Sequence, residues 1–299
     1  MSARGSSNTG PLAAFAVMAV IWGYNWVVMK TALEYSGPLA FSAWRCALGT
    51  LLLFVVLLAL RIPLKPREVV KTIWLGVFQI FGFVALVAWA LTSGAAGKSA
   101  VLAYTMPFWV ILFGWPVAEA RPRGSQWVAL ALAFVGLLLV LELWRGESSL
   151  LSSALALAAG ASWAVGTLLF KRISVRTPNE LLSLTAWQML AGAVPLVGLA
   201  LIVHERPIEW NATLVAALGF NAVGAMAVAT LLWLYILHRL PTTISSLSSL
   251  IVPIVGVLAA WLQLGERPSA AEAVGMVLIL VALALLIAPQ RVAQPITGD

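Results

Sequence analysis

Pro107 and Pro253 are the residues whose placement speaks first to mechanism. Each lies deep in an apolar run and stands fourteen residues before an Arg-Pro pair, Arg121-Pro122 and Arg267-Pro268. A proline within a helix cannot donate to the carbonyl four residues back, so the carbonyls of Ala103 and Ser249 need other partners and a kink is expected at each site. Where lipid is the solvent those partners must be protein, side chain or trapped water. The paired prolines are therefore either packing features or the hinges and walls of a central cavity. Hydroxyls precede both: Ser99, Tyr104 and Thr105 on one side, and Ser245, Ser246, Ser248 and Ser249 on the other. Such groups pack helices closely and bond between them, or they offer hydroxyls to a polar solute.

A second set of residues could form the wall of the same space. Trp163 falls well inside an apolar run, where an indole offers a flat face and one N–H donor, and Trp22 is its counterpart earlier in the chain. Phe78, Gln79 and Gly82 lie together in another run, and Asn221 and Gly224 in a fourth. Gln79 and Asn221 are amides that need partners, which a neighbouring helix or a solute could supply equally well. Arg45 is the one charge within a run, about 10 Å in at 1.5 Å per residue. It is expected to snorkel to the nearer interface, with attraction of a carboxylate as the lesser alternative.

What is missing narrows the chemistry. All the Asp and Glu residues, and both His204 and His238, fall between apolar runs or at their ends. Proton relays commonly rest on buried Asp, Glu or His, so movement down a gradient or exchange is expected instead. Paired carboxylates, H-E-x-x-H spacing, a G-x-S-x-G elbow and Gly-rich phosphate loops do not occur. No catalytic residue, metal or cofactor is expected. Cys46 is the only cysteine, so no intrachain disulfide can form.

The elements that hold these residues are set by the solvent. The chain is 62% hydrophobic and 10% charged, against about 25% charged in soluble domains. Its net charge of +7 is scattered between apolar runs with no basic patch, which argues against nucleic acid. Uncharged windows at 5–29, 72–97, 99–118, 124–141, 148–170, 181–204, 210–238, 240–265 and 273–290, with 38–60 around Arg45, predict ten transmembrane helices. Lysine and arginine concentrate in loops on the N-terminal side, as in Arg61–Lys71 and Lys171–Arg176. Both termini are therefore expected in the cytoplasm.

The chain also repeats itself. Trp22…Lys30 matches Trp163…Lys171 at an offset of 141, and Ala43-Trp44 matches Ala186-Trp187 at 143. Leu75-Gly76 matches Leu218-Gly219 at 143, and Pro107…Arg121-Pro122 matches Pro253…Arg267-Pro268 at 146. Ala129 and Gly136 match Gly275 and Ala282 at the same 146. Five helices per half is an odd number, so the second half enters the membrane from the opposite side. The expected fold is an all-α integral membrane protein of two inverted five-helix repeats, an architecture used by secondary transporters. The expected parts are a cytoplasmic tail 1–10, repeats 11–145 and 146–288, and a tail 289–299.

Trp22-Gly23-x-Asn25-Trp26, Pro107…Arg121-Pro122 and Pro253…Gly265-Glu266-Arg267-Pro268, with Gly275 beyond, resemble the drug/metabolite transporter superfamily, specifically its EamA-type members. The resemblance covers roughly residues 11 to 288, with Glu119 displaced by one position in the first half. It implies a monomeric alternating-access exporter of the bacterial inner membrane whose pathway runs between the halves, and it adds Asn25 to the candidate cavity. The substrate expected is an amino acid, aromatic or apolar, as in the aromatic amino-acid exporters of that superfamily. A drug-like, cationic or nucleotide-sugar solute is the alternative. A membrane enzyme or lipid-handling protein is the reading from a different class.

Overall fold

The computed structural model describes residues 9–66, 68–118, 124–142, 149–232, 236 and 248–287. Among them every regular element is helical: α1 (Thr9–Ala32), α2 (Pro38–Ala59), α3 (Val69–Ser93), α4 (Ala96–Ala103), α5 (Met106–Ala118), α6 (Gly124–Leu141), α7 (Ser149–Phe170), α8 (Pro178–Ile202), α9 (Ala212–Leu232), α10 (Ser248–Leu264) and α11 (Ala270–Ile287). Among the described residues, seven helical spans are long and apolar enough to cross a membrane, one of them Ala96–Gly114 across α4 and α5. Gln126–Leu141, Ile251–Leu264 and Ala270–Leu285 are shorter apolar helices. Lipid-facing positions keep large apolar side chains exposed, among them Leu201, Leu262, Phe134 and Val70. In water such a surface would be untenable.

Helix starts follow local chemistry. Thr177 accepts a hydrogen bond from the Glu180 N–H at 3.2 Å, and the Glu180 carboxylate accepts from the Arg176 N–H at 2.9 Å. At the start of α11 Ser269 and Glu272 bond each other's N–H groups, a full capping box. At α8 the carboxylate reaches one residue further back, and both arrangements satisfy otherwise orphaned donors. Asn211 caps α9 through Leu214.

The prolines behave differently from one another. Pro253 lies inside α10. At Pro107 the chain does not kink but breaks: α4 ends at Ala103, Thr105 N–H turns back to the Leu102 carbonyl, and α5 restarts at Met106. Pro107 thus occupies the first turn of a helix, where its missing donor costs nothing. The Ala103 carbonyl packs over Gly160, 2.8 Å from where a Cβ there would sit.

α3 and α9 each contain a π-helical segment, Val77–Gly82 and Phe220–Val228. Each opens directly after the Leu-Gly pair that repeats at offset 143. The strongest packing pairs are α6 with α11, α2 with α8, α1 with α10, and α3 with α7. On the α6–α11 seam Gly136 and Gly275 face one another, and a Cβ on Gly275 would stand 2.5 Å from the Gly136 carbonyl oxygen. Ala129 and Ala282 are fully buried in the same cluster. The four small residues matched in the sequence therefore make one close helix crossing.

Candidate functional site

The π-helical turn of α3 sets the first half of the site. A wide turn of this kind displaces carbonyls from the regular ladder and recurs at functional places. Here the Phe78 carbonyl accepts from Ser162 Oγ of α7 at 2.7 Å. Gln79 is buried; its Nε2 donates to Thr167 Oγ1 at 3.3 Å and its Oε1 accepts from Gln188 Nε2 of α8 at 3.0 Å. Thr167 in turn donates to the Trp163 carbonyl at 3.0 Å. The side chains fit only because glycines make room. A Cβ on Gly82 would meet Ser162 Oγ at 2.4 Å, and one on Gly166 would meet Gln79 Cγ at 2.2 Å. Trp163 remains partly exposed and meets Phe83 edge-on, ring centroids 4.8 Å apart.

The second half of the site is built by α1, α9, α2 and α4. Trp22 Nε1 donates to the Ala225 carbonyl at 3.0 Å, within the π-helical segment of α9. Asn221 is fully buried and donates to its own helix, at the Ala217 carbonyl, 3.1 Å away. Asn25 and Ser99 are buried, and Tyr104 lies 6.5 Å from Trp26, ring to ring. Tyr104, Phe83 and Trp26 share one apolar cluster with Ala159 of α7, so the aromatic groups of the two halves adjoin. Ser245 lies outside the described residues. Ser248 opens α10, and nothing further is described of its side chain.

Sequence reasoning missed Ser162, Thr167 and Gln188. Gln188 follows the repeated Ala186-Trp187 pair, and that was its only signal. Arg45 also departs from expectation. It does not snorkel: it is 5% exposed, with its guanidinium donating to Met29 Sδ and lying 6.0 Å from the Phe41 ring centroid.

Charged groups gather instead at the end of the bundle that carries the α1–α2 turn. The Glu205 carboxylate accepts from the Leu39 and Ala40 N–H groups at 3.0 and 2.9 Å, capping α2. Glu266 does the same for α4 through Ala96 and Gly97, at 2.8 and 3.0 Å. A carboxylate at a helix N-terminus satisfies orphan donors and meets the positive end of the dipole. Lys98 pairs with Glu272 at 2.8 Å, Arg206 binds the Leu33 and Ser36 carbonyls, and Lys30 binds those of Leu91 and Gly94 at 2.7 Å. A cavity of about 540 Å³ opens here between Lys30, Glu34, Trp89, Glu205 and Arg206. It is separate from the Trp163–Gln79 region. At the opposite end, Glu68 accepts from Lys71 and from the Ser174 N–H. The hydrogen bond from Lys71 and then that from Ser174 hold its carboxyl below the ordinary carboxylate value.

Comparison with known proteins adds to this geometry. The profile of the EamA-like transporter family matches residues 9–142 and, a second time, residues 150–288. A protein of Escherichia coli (strain K12) named a "probable amino-acid metabolite efflux pump" is 30% identical over 289 residues, covering 93% of this chain and 94% of that relative. The transporter YoaV of Bacillus subtilis (strain 168) is 26% identical over 272 residues, covering 88% and 91%. The inner membrane transporter YedA of Escherichia coli (strain K12) is 26% identical over 283 residues, covering 91% and 90%. One crystal structure is similar in fold, with a TM-score of 0.65 and 17% identity over 93% of this chain and 97% of that one.

Proposed function

Because the chain belongs to the EamA-like transporter family, we propose that it exports small metabolites, namely aromatic or apolar amino acids, across a bacterial inner membrane by alternating access. The observation that carries this reading is the adjoining set of rings, Trp163, Phe83, Tyr104 and Trp26, beside the Gln79 amide network. Flat apolar walls with a few fixed hydrogen-bonding groups suit a neutral or zwitterionic solute that carries an apolar side chain. The printed name of the Escherichia coli relative points to the same substrate class.

The proposal includes ten transmembrane helices in two inverted repeats, 11–145 and 146–288, acting as a monomer with both termini in the cytoplasm. Support comes from two packing relations that recur when the two halves exchange places: α1 lies on α10 as α7 lies on α5, and α9 lies on α1 as α3 lies on α7. The π-helical segments at equivalent positions add to it. The solute pathway would run past Trp22, Asn25, Phe78, Gln79, Gly82, Ser99, Tyr104, Trp163 and Asn221, with Ser245 and Ser248 added on the sequence alone, and Pro107 and Pro253 as the hinge candidates. With every carboxylate of the sequence outside the spans or at a helix end, transport is expected to be facilitated or by exchange.

The test is counterflow of labelled phenylalanine and leucine in liposomes. Flux above empty vesicles is expected, and Trp163→Ala should raise the half-saturation concentration about three- to tenfold, the range of a lost aromatic contact. Wild-type flux no greater than in empty vesicles would sink the substrate assignment.

A further inference from the structure

Arg45 is a buried cation with no acid paired to it among the described residues. Each Asp and Glu of the sequence lies outside the spans or at a helix end, and the contacts of the Arg45 guanidinium are a thioether and an aromatic ring. Its Nε finds no partner at all. A thioether is a weak acceptor, and a buried charge left this way is expensive unless something compensates it. An ionisable residue held inside a membrane bundle is therefore a mark of function before it is a mark of stability.

Two buried amides have the opposite need. The side-chain carbonyl oxygens of Asn25 and Asn221 are buried and accept no hydrogen bond. The three residues lie on helices that pack together, α1 on α9 and α9 on α2. Asn25 lies one turn from Met29, whose sulfur the guanidinium touches. Asn221 lies one turn from Ala217, whose carbonyl it binds. Met29, Phe41 and Ala217 belong to one buried cluster, and the rings of Tyr24 and Phe220, neighbours of the two asparagines in sequence, meet at 5.8 Å. Helices that pack on one another thus hold an unmatched cation and two unmatched neutral acceptors.

That is the complement of a zwitterion. We propose that Arg45 is the carboxylate-binding residue of the pathway. It takes the α-carboxylate of the solute as the flexible Met29 thioether swings aside, while the Asn25 and Asn221 carbonyl oxygens accept from the solute ammonium. The proposal rests on the amino-acid reading above and deepens it. It also predicts discrimination: an amine that has the same side chain but no carboxylate lacks the group that neutralises Arg45.

Purified protein in detergent tests this through thermal stabilisation by three probes: 3-phenylpropionate, phenethylamine and phenylalanine. The carboxylate and the amino acid should stabilise wild type, and the amine alone should not. Arg45→Gln should raise the half-maximal concentration of both carboxylates about thirtyfold or more, as expected on removing one partner of a buried charge pair. Arg45→Lys should fall between. Asn221→Leu should weaken phenylalanine and leave phenylpropionate unchanged, a split that a merely structural role would not produce. A wild type that responds to phenethylamine as it does to phenylpropionate, or to no carboxylate, overturns the proposal whether or not the variants fold. Phenylalanine counterflow separates the two readings. Flux undiminished in Arg45→Gln removes Arg45 and leaves amino-acid export standing. Arg45-dependent phenylpropionate binding without phenylalanine flux leaves Arg45 standing and removes amino-acid export.

Discussion

Gly166 and Gln79 show how closely the amide network is fitted. A methyl group on Gly166 would overlap Gln79 Cγ, so Gly166→Val forces the glutamine out of its bonds to Thr167 and Gln188. The expected cost is about 1–3 kcal/mol, read as a lower melting midpoint in detergent. Gln79→Ala alone should cost about 1–2 kcal/mol by stranding its partners. The double variant should be no worse than Gly166→Val, because the group it collides with is gone. Glu68 gives a pH prediction at the same scale. Its folded-state carboxyl lies below the ordinary value, so its contribution is complete above the ordinary carboxylate range and lost as pH falls through the lowered value. The melting midpoint should therefore decline on the acid side, and Glu68→Gln should flatten that decline. At this scale the sequence was a partial guide. Gln79, Asn221 and Trp163 could be picked out as polar or bulky groups in apolar runs, but their partners could not. Ser162, Thr167 and Gln188 matter because of the face on which they fall, and that face depends on how three helices cross.

Helices carry the next level. The α6–α11 crossing brings backbone to backbone, with Gly275 against the Gly136 carbonyl. A backbone atom cannot step aside as a side-chain end can, so Gly275→Leu should destabilise by about 1–3 kcal/mol or more, seen as a lower melting midpoint and poor recovery from detergent. Helix locations were legible to within a few residues, since the charge-free windows follow directly from what lipid tolerates. The π-helical turns were not. A π turn is a register choice made by packing, and Val77–Gly82 reads as an ordinary apolar stretch. Pro107 was legible as a disruption but not as a helix start, because Thr105 ends the preceding turn through both its N–H and its hydroxyl, which donate to the Leu102 carbonyl.

For the molecule as a whole, the proposed orientation has a direct test. Cys46 is buried, so it gives little background to a membrane-impermeant maleimide. Thr92→Cys, at the end that carries the α1–α2 turn, should label in intact cells. Ser174→Cys, at the opposite end, should label only after permeabilisation. The reverse pattern would invert the proposed topology. The repeat offsets suggest the proposed two-part plan from the sequence, and the family profile matches the chain twice. The arrangement of charge at the two ends was not visible, because Glu205 and Glu266 act on residues well over a hundred positions away.

Those two carboxylates have a consequence for how this chain can change over time. Each ties one half of the sequence to the other, yet what each one holds is main chain: the amides of Leu39 and Ala40, and those of Ala96 and Gly97. Any residue except proline supplies the same amide, so the joint itself sets no requirement on these side chains; packing alone constrains the buried Leu39 and Ala96, and Gly97 against Val257. Paired substitutions across relatives will consequently be silent at the very place where the halves are fastened, and the two glutamates will stand out as fixed residues with no covarying partner.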